Sequence, residues 1–435
     1  MQFFDRLQNL VTGLGAHRDK GLATRYALPM LDPQQLVAAY RGDWIARKVI
    51  DIPALDQVRA WRNLQAAEPA IAAIEAQERR LQVRAKVLKA LKWSRLFGGS
   101  ALLLGVDQGR PDTPIDLERL GAGSLAYLHV VSRHELSVGV LDRDPASPGF
   151  GAPTTYSLVG ADGGRIDLHP SRVIRLGGVE TPDLDRTDGW GDPVLLALDE
   201  AIKNAGLTAA GIAGLVQEAK VDVFKIKDLT LNVGNPDYRG RMLERFELAN
   251  LGKSINNALI MDADEAWEQK TVNFAQLPEV MRLYLQIAAG AADIPATRFL
   301  GQSPDGLNAT GEGDLRNYYD RISAEQELTL RPALEQLDAV LVRSALGQMP
   351  DDYYWTFAPL WQLGEKDRAE IFKLKVEAVK ALAEGGLVPA PALAEAVVNT
   401  LIEDGMLPGL EAAMGKHERT SHPGRPASVE GQELR

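Results

Sequence analysis

At residue 100 the hydrophobic period of this chain changes, and that change decides what it can fold into. Before it, "AIAAIEAQERRLQVRAKVLKALKWSRLFG" (70–98) carries Ile74, Leu81, Val87, Leu88 and Leu91 at helical spacing, with Arg and Lys between them. A second helical stretch, "DPQQLVAAYRGDWIARKVIDIPALDQVRAWRNL" (32–64), precedes it. After residue 100 come short alternating or β-branched runs punctuated by Gly, Pro and Asp: "SALLLGVD" (100–107), "LAYLHVVSRHELSVGVLD" (125–142), "TTYSLVG" (154–160) and "GRIDLHPSRVIRLGG" (164–178). They read as a small antiparallel sheet unit. A chain that segregates helices and strands in this way is α+β.

The helical period returns in "DPVLLALDEAIKNAGLTAAGIAGLVQEAK" (192–220), with Asp192 as N-cap and Pro193 at the first helical position. At about 1.5 Å per residue this helix is roughly 40 Å long. An α/β excursion comes next: strand "VDVFKIKDL" (221–229), turn "NVGNPDYRG", helix 241–254 and a hairpin-like 257–274. Helix 277–294 succeeds it, and then "GQSPDGLNATGEGDLRNYYD" (301–320), a glycine-rich acidic loop running without a break into a helix of about 312–346. Pro332 lies inside that helix, removes a backbone donor and predicts a kink near 328–332. "DDYYWTFAPLW" (351–361) reads as strand and turn, and two further helices lie within 364–414.

The 435 residues suffice for two to four folding units. With no cysteine, disulfides, thiolate metal sites and cysteine nucleophiles are excluded. The N-terminal stretch reads as no secretory leader, and no apolar run is long enough to span a bilayer, so no membrane partner is expected. The 59 acids against 48 bases leave a net charge of −11, which disfavours tight binding to nucleic acid.

Enzyme signals are absent. "LGKS" (251–254) has half of a phosphate-binding loop, but Glu247 stands where the pattern needs glycine. The six histidines show no zinc spacing, and only "HPS" (169–171) matches one half of a two-histidine phosphoesterase signature. No nucleophile elbow occurs. Paired acids such as Asp351 and Asp352, or Asp262 and Asp264, sit in turn-like contexts. No catalytic, cofactor or metal residue is expected.

Four stretches resemble the portal proteins of tailed bacteriophages: "DWIARKVIDIPALDQVRAWR" (43–62), "LHPSRVIRLGG" (168–178), "GWGDPVLLALDEAI" (189–202) and "LGQSPDGLNATGEGDLRNYYDRI" (300–322). Each alone is moderate, but four in the right order are strong. Residues 1–30, mixed and Gly-containing, read as a flexible arm, and the resemblance implies a wing (31–191), a first stem helix (192–220), a clip (221–275) and a second stem helix (276–299). It further implies a tunnel loop (300–313), a long kinked helix (314–346), a wing return (347–363) and a helical crown-like region (364–414), while the tail (415–435), polar with Pro, Gly and Ser, reads as disordered.

The same resemblance implies a ring, typically of twelve copies, at one vertex of the virion capsid, assembled in the host cytoplasm. It would pass double-stranded DNA without binding it tightly, and would meet the terminase large subunit, the major capsid protein and head-completion or adaptor proteins. No cofactor is implied. The tunnel-loop residues would be Gly301, Gln302, Ser303, Asp305, Gly306, Asn308, Gly311, Glu312 and Gly313, with glycines giving conformational range and Asp305, Glu312 and Asp314 repelling phosphate. Lys203 and Lys220 on the stem would touch the DNA backbone or, equally, pair with acids of the next subunit. Asn235, Asp237, Tyr238, Arg239, Arg241 and Arg245 would form the clip contact. Two other readings stay open: a nucleotide phosphoesterase acting through His169 and Ser171, and an adaptor that forms no ring.

Overall fold

A computed structural model describes residues 32–160, 163–182, 187–217, 220–225, 234–244, 247, 266–271, 275–301, 311–361, 365–385, 389, 393–394 and 397. Its first compact unit ends at Leu360. The elements are helices α1 (Pro33–Gly42) and α2 (Trp44–Arg59), strand β1 (Arg62–Gln65), helices α3 (Glu68–Leu81) and α4 (Val83–Phe97), and strands β2 (Gly99–Val106), β3 (Leu125–Ser132), β4 (Leu136–Val138), β5 (Tyr156–Val159), β6 (Arg165–Leu168) and β7 (Val173–Gly177). Then come helix α5 (Leu195–Gln217), strands β8 (Lys220–Lys225) and β9 (Ala266–Thr271), and helices α6 (Leu277–Ala291), α7 (Ala296–Leu300) and α8 (Glu312–Glu325). A π-helical turn (Gln326–Leu330) joins α8 to α9 (Arg331–Leu346), and β10 (Tyr354–Phe357) closes the unit. Beyond it, helix α10 (Glu365–Glu384) belongs to a second unit.

The fold is α+β. Helical period before residue 100 and strand period after it are both realised, but the single sheet unit expected from the sequence is two three-stranded antiparallel sheets, β3-β2-β7 and β4-β5-β6. Apolar residues at alternate positions of both sheets meet around Ala101, Leu103, Leu136, Tyr156 and Trp190. The helices 70–81 and 83–97 are separate because Gln82 adopts a left-handed conformation at φ 53°. Periodicity places β1 at the end of a helical stretch; it pairs instead with β10, Arg62 opposite Phe357 and Leu64 opposite Trp355. Local pattern could not show this, since a four-residue strand acquires its identity from a distant partner.

Two larger cores flank these sheets. One packs α3, α4, β2 and β7 against α9 through Ile74, Val87, Leu102, Ile174 and Leu337. The other packs α1 and α2 against the first half of α5, the second half of α6, and α7 and α8, through Leu36, Ile50, Leu198, Ile202, Ala288, Phe299 and Ile322.

Glycines hold the seam between them. Gly98 ends α4 at φ +81°, and a Cβ there would lie 2.4 Å from the Gly191 carbonyl oxygen. Gly178 and Gly191 meet backbone at 2.5 Å in the same way, and Trp190 lies flat on Gly99. The Arg175 guanidinium lies 4.2 Å from the centre of that indole. Three chain segments therefore cross with no room for side chains. Gly98→Ala is expected to cost about 2–4 kcal/mol, combining a left-handed alanine with backbone overlap, and a denaturant melt would measure it.

Asp192 does not cap α5. It forms an isolated antiparallel bridge with Val179 in which each backbone N–H donates to the other's carbonyl, at 2.9 and 2.8 Å, and the helix starts at Leu195. The expected kink region takes the form of the π turn. Pro332, second residue of α9, has no N–H, so the ladder loses a donor there. The Thr329 hydroxyl donates to the Glu325 carbonyl at 2.6 Å, adding a side-chain bond at the start of the wider turn.

Candidate channel loop and assembly surfaces

Among the expected tunnel-loop residues, Gln302, Ser303, Asp305, Gly306 and Asn308 lie outside the described residues. Their flanks are described. Gly301 terminates α7 at φ +69°, and its N–H donates to the Thr297 carbonyl at 3.1 Å. Gly311 sits at φ +66° just before α8. Both positions require the left-handed region, so both glycines have a local reason to be there. Glu312 and Gly313 belong to the first turn of α8 rather than to the loop, with Asp314 beside them at the positive end of the helix dipole.

The two ends of this segment are held on α2. Asp56 is 0% exposed and accepts from the Arg298 guanidinium of α7 at 3.0 Å and from the Tyr318 hydroxyl of α8 at 2.9 Å, and it is ion-paired with Arg59 at 3.1 Å. The Lys48 ammonium donates to the Phe299 carbonyl. Burial and the Asp56 charge push the Tyr318 phenol up, and the hydrogen bond to Asp56 raises Arg298. None of these residues stands out in the sequence. A lone acid in "IPALDQVR" reads as solvated, and its partner Arg298 is 242 positions away.

Lys203 lies on α5 and is paired with Asp199 one turn earlier, at 2.7 Å, within its own chain. Lys220 is not on the helix at all: it starts β8, opposite Thr271 of β9. Clip candidates Asn235, Asp237, Tyr238, Arg239 and Arg241 cluster at a helical stretch, 236–244, which starts five residues earlier than expected because Asn235 caps it, its side chain accepting from the Asp237 N–H at 3.0 Å. Arg245 lies outside the described residues.

The His-Pro-Ser-Arg motif has a structural explanation. His169 precedes a single 3-10 turn (Pro170–Arg172), and its Nδ1 accepts from the Ser171 N–H at 3.2 Å. Ser171 Oγ lies 2.9 Å from that Nδ1 and accepts from the Ile115 N–H at 2.9 Å. Arg172 donates to the carbonyls of Thr113, Val106 and Gln108, fastening the 107–116 loop. Burial and the neighbouring Arg172 lower the His169 pKa.

The clearest surface feature is apolar. The first half of α5 is buried with the second half of α6, whereas their other halves leave Leu207, Leu215, Val216, Val280 and Leu283 exposed, and Ile287 is exposed on the outer face of α6. Glycines 206, 211 and 214 face open space beside them. Among the described residues no helix is long and apolar enough to cross a membrane.

A family model described as phage portal protein matches residues 34–381. The chain belongs to the phage portal protein family. Relatives of this portal chain include a Caulobacter sp. protein named anti-CBASS protein Acb1, 47% identical over 95% of this chain and 69% of that protein. A Sphingomonas paeninsulae protein of the same name is 38% identical over 96% and 68%. An uncharacterized protein of Haemophilus influenzae is 30% identical over 95% and 93%. Among solved structures, a chain of the virion of a native gene transfer agent particle superposes at a TM-score of 0.51 with 15% identity, over 84% of this portal chain and 96% of that one. That likeness establishes the shared fold.

Proposed function

We propose that this portal-family chain forms a closed ring of about twelve copies at one capsid vertex, and that double-stranded DNA passes through it during packaging and ejection. The carrying observation is the unpartnered apolar face of α5 and α6. Leu207 is 69% and Leu283 54% exposed in the single chain, and such a run of large apolar groups marks an interaction surface. The bare glycines beside them allow neighbouring helices to approach closely. Helices α5 and α6 serve as the stem, and the exposed 235–244 stretch serves as the docking face for the terminase large subunit and later for head-completion proteins. The wing meets the major capsid protein. The sequence stretch 300–313 serves as the channel loop, and the charges of Asp305, Glu312 and Asp314 repel phosphate, consistent with a chain of net charge −11.

Native mass and particle images of one purified fraction test this. Rings with a central channel are expected; a lone monomer that also fails to assemble with capsid components would defeat the reading. Deleting residues 304–309 is expected to leave rings intact while packaged DNA leaks out, scored as DNA per particle after nuclease treatment.

An activity of the kind named for the two relatives is favoured by 47% identity. Roughly a third of each of those proteins lies outside the match, and an activity carried there would not extend to this chain. If it did reside here, His169 and Ser171 are its motif-level candidates. His169→Ala is expected to cost about 1 kcal/mol through the lost cap and to leave ring formation unchanged. Loss of a nucleotide-hydrolysing activity in that variant would establish the enzymatic reading instead.

A further inference from the structure

Residues 296–301 and 311–325 are the two exits between which segment 302–310 runs, and both rest on consecutive residues of α2. Asp56 takes Arg298 from one exit and Tyr318 from the other on the same buried carboxylate, with the Arg59 charge 3.1 Å from Oδ1 beside them. At Gln57, the side-chain amide donates to Glu325 at 2.7 Å and the backbone carbonyl accepts from Gln326 at 2.7 Å, fixing the start of the π turn. Glu325 also accepts from Arg321 at 3.0 Å. Arg321 in turn donates to the Asp293 carbonyl at 2.8 Å and is ion-paired with its carboxylate at 2.9 Å, where the chain turns from α6 toward α7 with Asp293 at φ +54°.

Apolar contacts alone would bury these helices, as Phe299 and Ile322 already do. A buried carboxylate adds something that dispersion cannot: direction. Its oxygens accept along defined lines, and a guanidinium from α7 and a phenol from α8 converge on them, so α7 and α8 cannot slide independently without stranding a charge.

We propose that Asp56 is the positioning residue for both flanks of the channel loop: one carboxylate on α2 that locks α7, where the chain enters that loop, to α8, where it leaves. The proposal rests on reading 302–310 as the loop that faces the channel.

Asp56→Asn in the full chain tests it. Asparagine keeps the volume but removes the charge that holds Arg298 and Arg59. Amide hydrogen exchange is expected to rise roughly tenfold in 296–301 and 312–320, the factor for one lost charged hydrogen bond, with 331–346 unchanged. Because the protein has no cysteine, Asn308→Cys gives a unique thiol, and a spin label there should broaden its distance distribution across the ring in the Asp56→Asn background. Leu337→Ala, in the other core, serves as the control that lowers the melting midpoint without the regional pattern.

Exchange that rises evenly through the chain, or a label that does not move, overturns the proposal. Should Asp56→Asn fail to fold, Tyr318→Phe removes a single donor and should show the same regional pattern at smaller size; its absence there overturns the proposal equally. DNA retention is read separately. Loosened exits with unchanged retention would uphold the anchor and remove the channel reading of the loop.

Discussion

Arg62→Ala is expected to remove about 3–5 kcal/mol of stability, the range for stripping one partner from a buried ion pair. Arg62 is 5% exposed and donates to Asp338 of α9 at 2.5 and 2.7 Å and to Glu78 of α3 at 2.6 Å. Tyr353 adds its hydroxyl to Asp338 at 3.0 Å, and the guanidinium lies 5.0 Å from the centre of the Trp355 ring. Burial works against the Arg62 charge, but Asp338 and Glu78 outweigh it and hold its pKa above the ordinary value. Alanine would leave Asp338 buried with one phenolic donor. A urea melt followed by tryptophan fluorescence reads the loss directly, since Trp355 reports on the same place. The double variant Arg62→Met, Asp338→Leu should lose less than Arg62→Ala alone, because the most buried charge, Asp338, is then not stranded, while Glu78 keeps the Trp61 indole N–H. A loss below about 1 kcal/mol for Arg62→Ala would mean that water reaches Asp338 and that the hub is not what joins β1 to α9.

This hub and the Asp56 cluster share the reason they are hidden in the sequence. Helix and strand identity come from periodicity over ten or so residues, and the runs 70–98 and 100–178 supply it. Gly301 and Gly311 are legible too, because a left-handed terminus calls for glycine locally. Arg62, Asp56 and Gln57 carry no such local signature. Each is a polar residue in a helix-like stretch, and only the folded chain brings Asp338, Arg298 or Gln326 to it. Pro332 announces a disturbance in the long helix, but a proline does not say whether the chain will bend or widen into a π turn. Lys220 falls on the wrong element for a related reason: helix and strand meet within a few residues of it, and strand pairing with Thr271, not propensity, fixes the boundary.

Leu207→Glu combined with Leu283→Glu is expected to abolish ring formation while leaving each subunit folded. In the single chain both side chains face solvent, so a glutamate at either position buries nothing and the melting midpoint of the monomer should stay within the range of ordinary surface changes, about 0.5 kcal/mol. In a ring the same positions become the contact between neighbouring stems. A carboxylate carried into that contact without a partner costs several kcal/mol, and at about 3 kcal/mol per contact the association constant falls more than a hundredfold. Closure multiplies this, because a head-to-tail ring has as many interfaces as subunits and every one carries the defect. Sedimentation of wild type and variant at equal concentration separates the two effects. A folded monomer in place of rings would assign the apolar face of α5 and α6 to assembly. Rings that persist with both glutamates would place the subunit contact elsewhere, leaving that face to contact something other than its own copies.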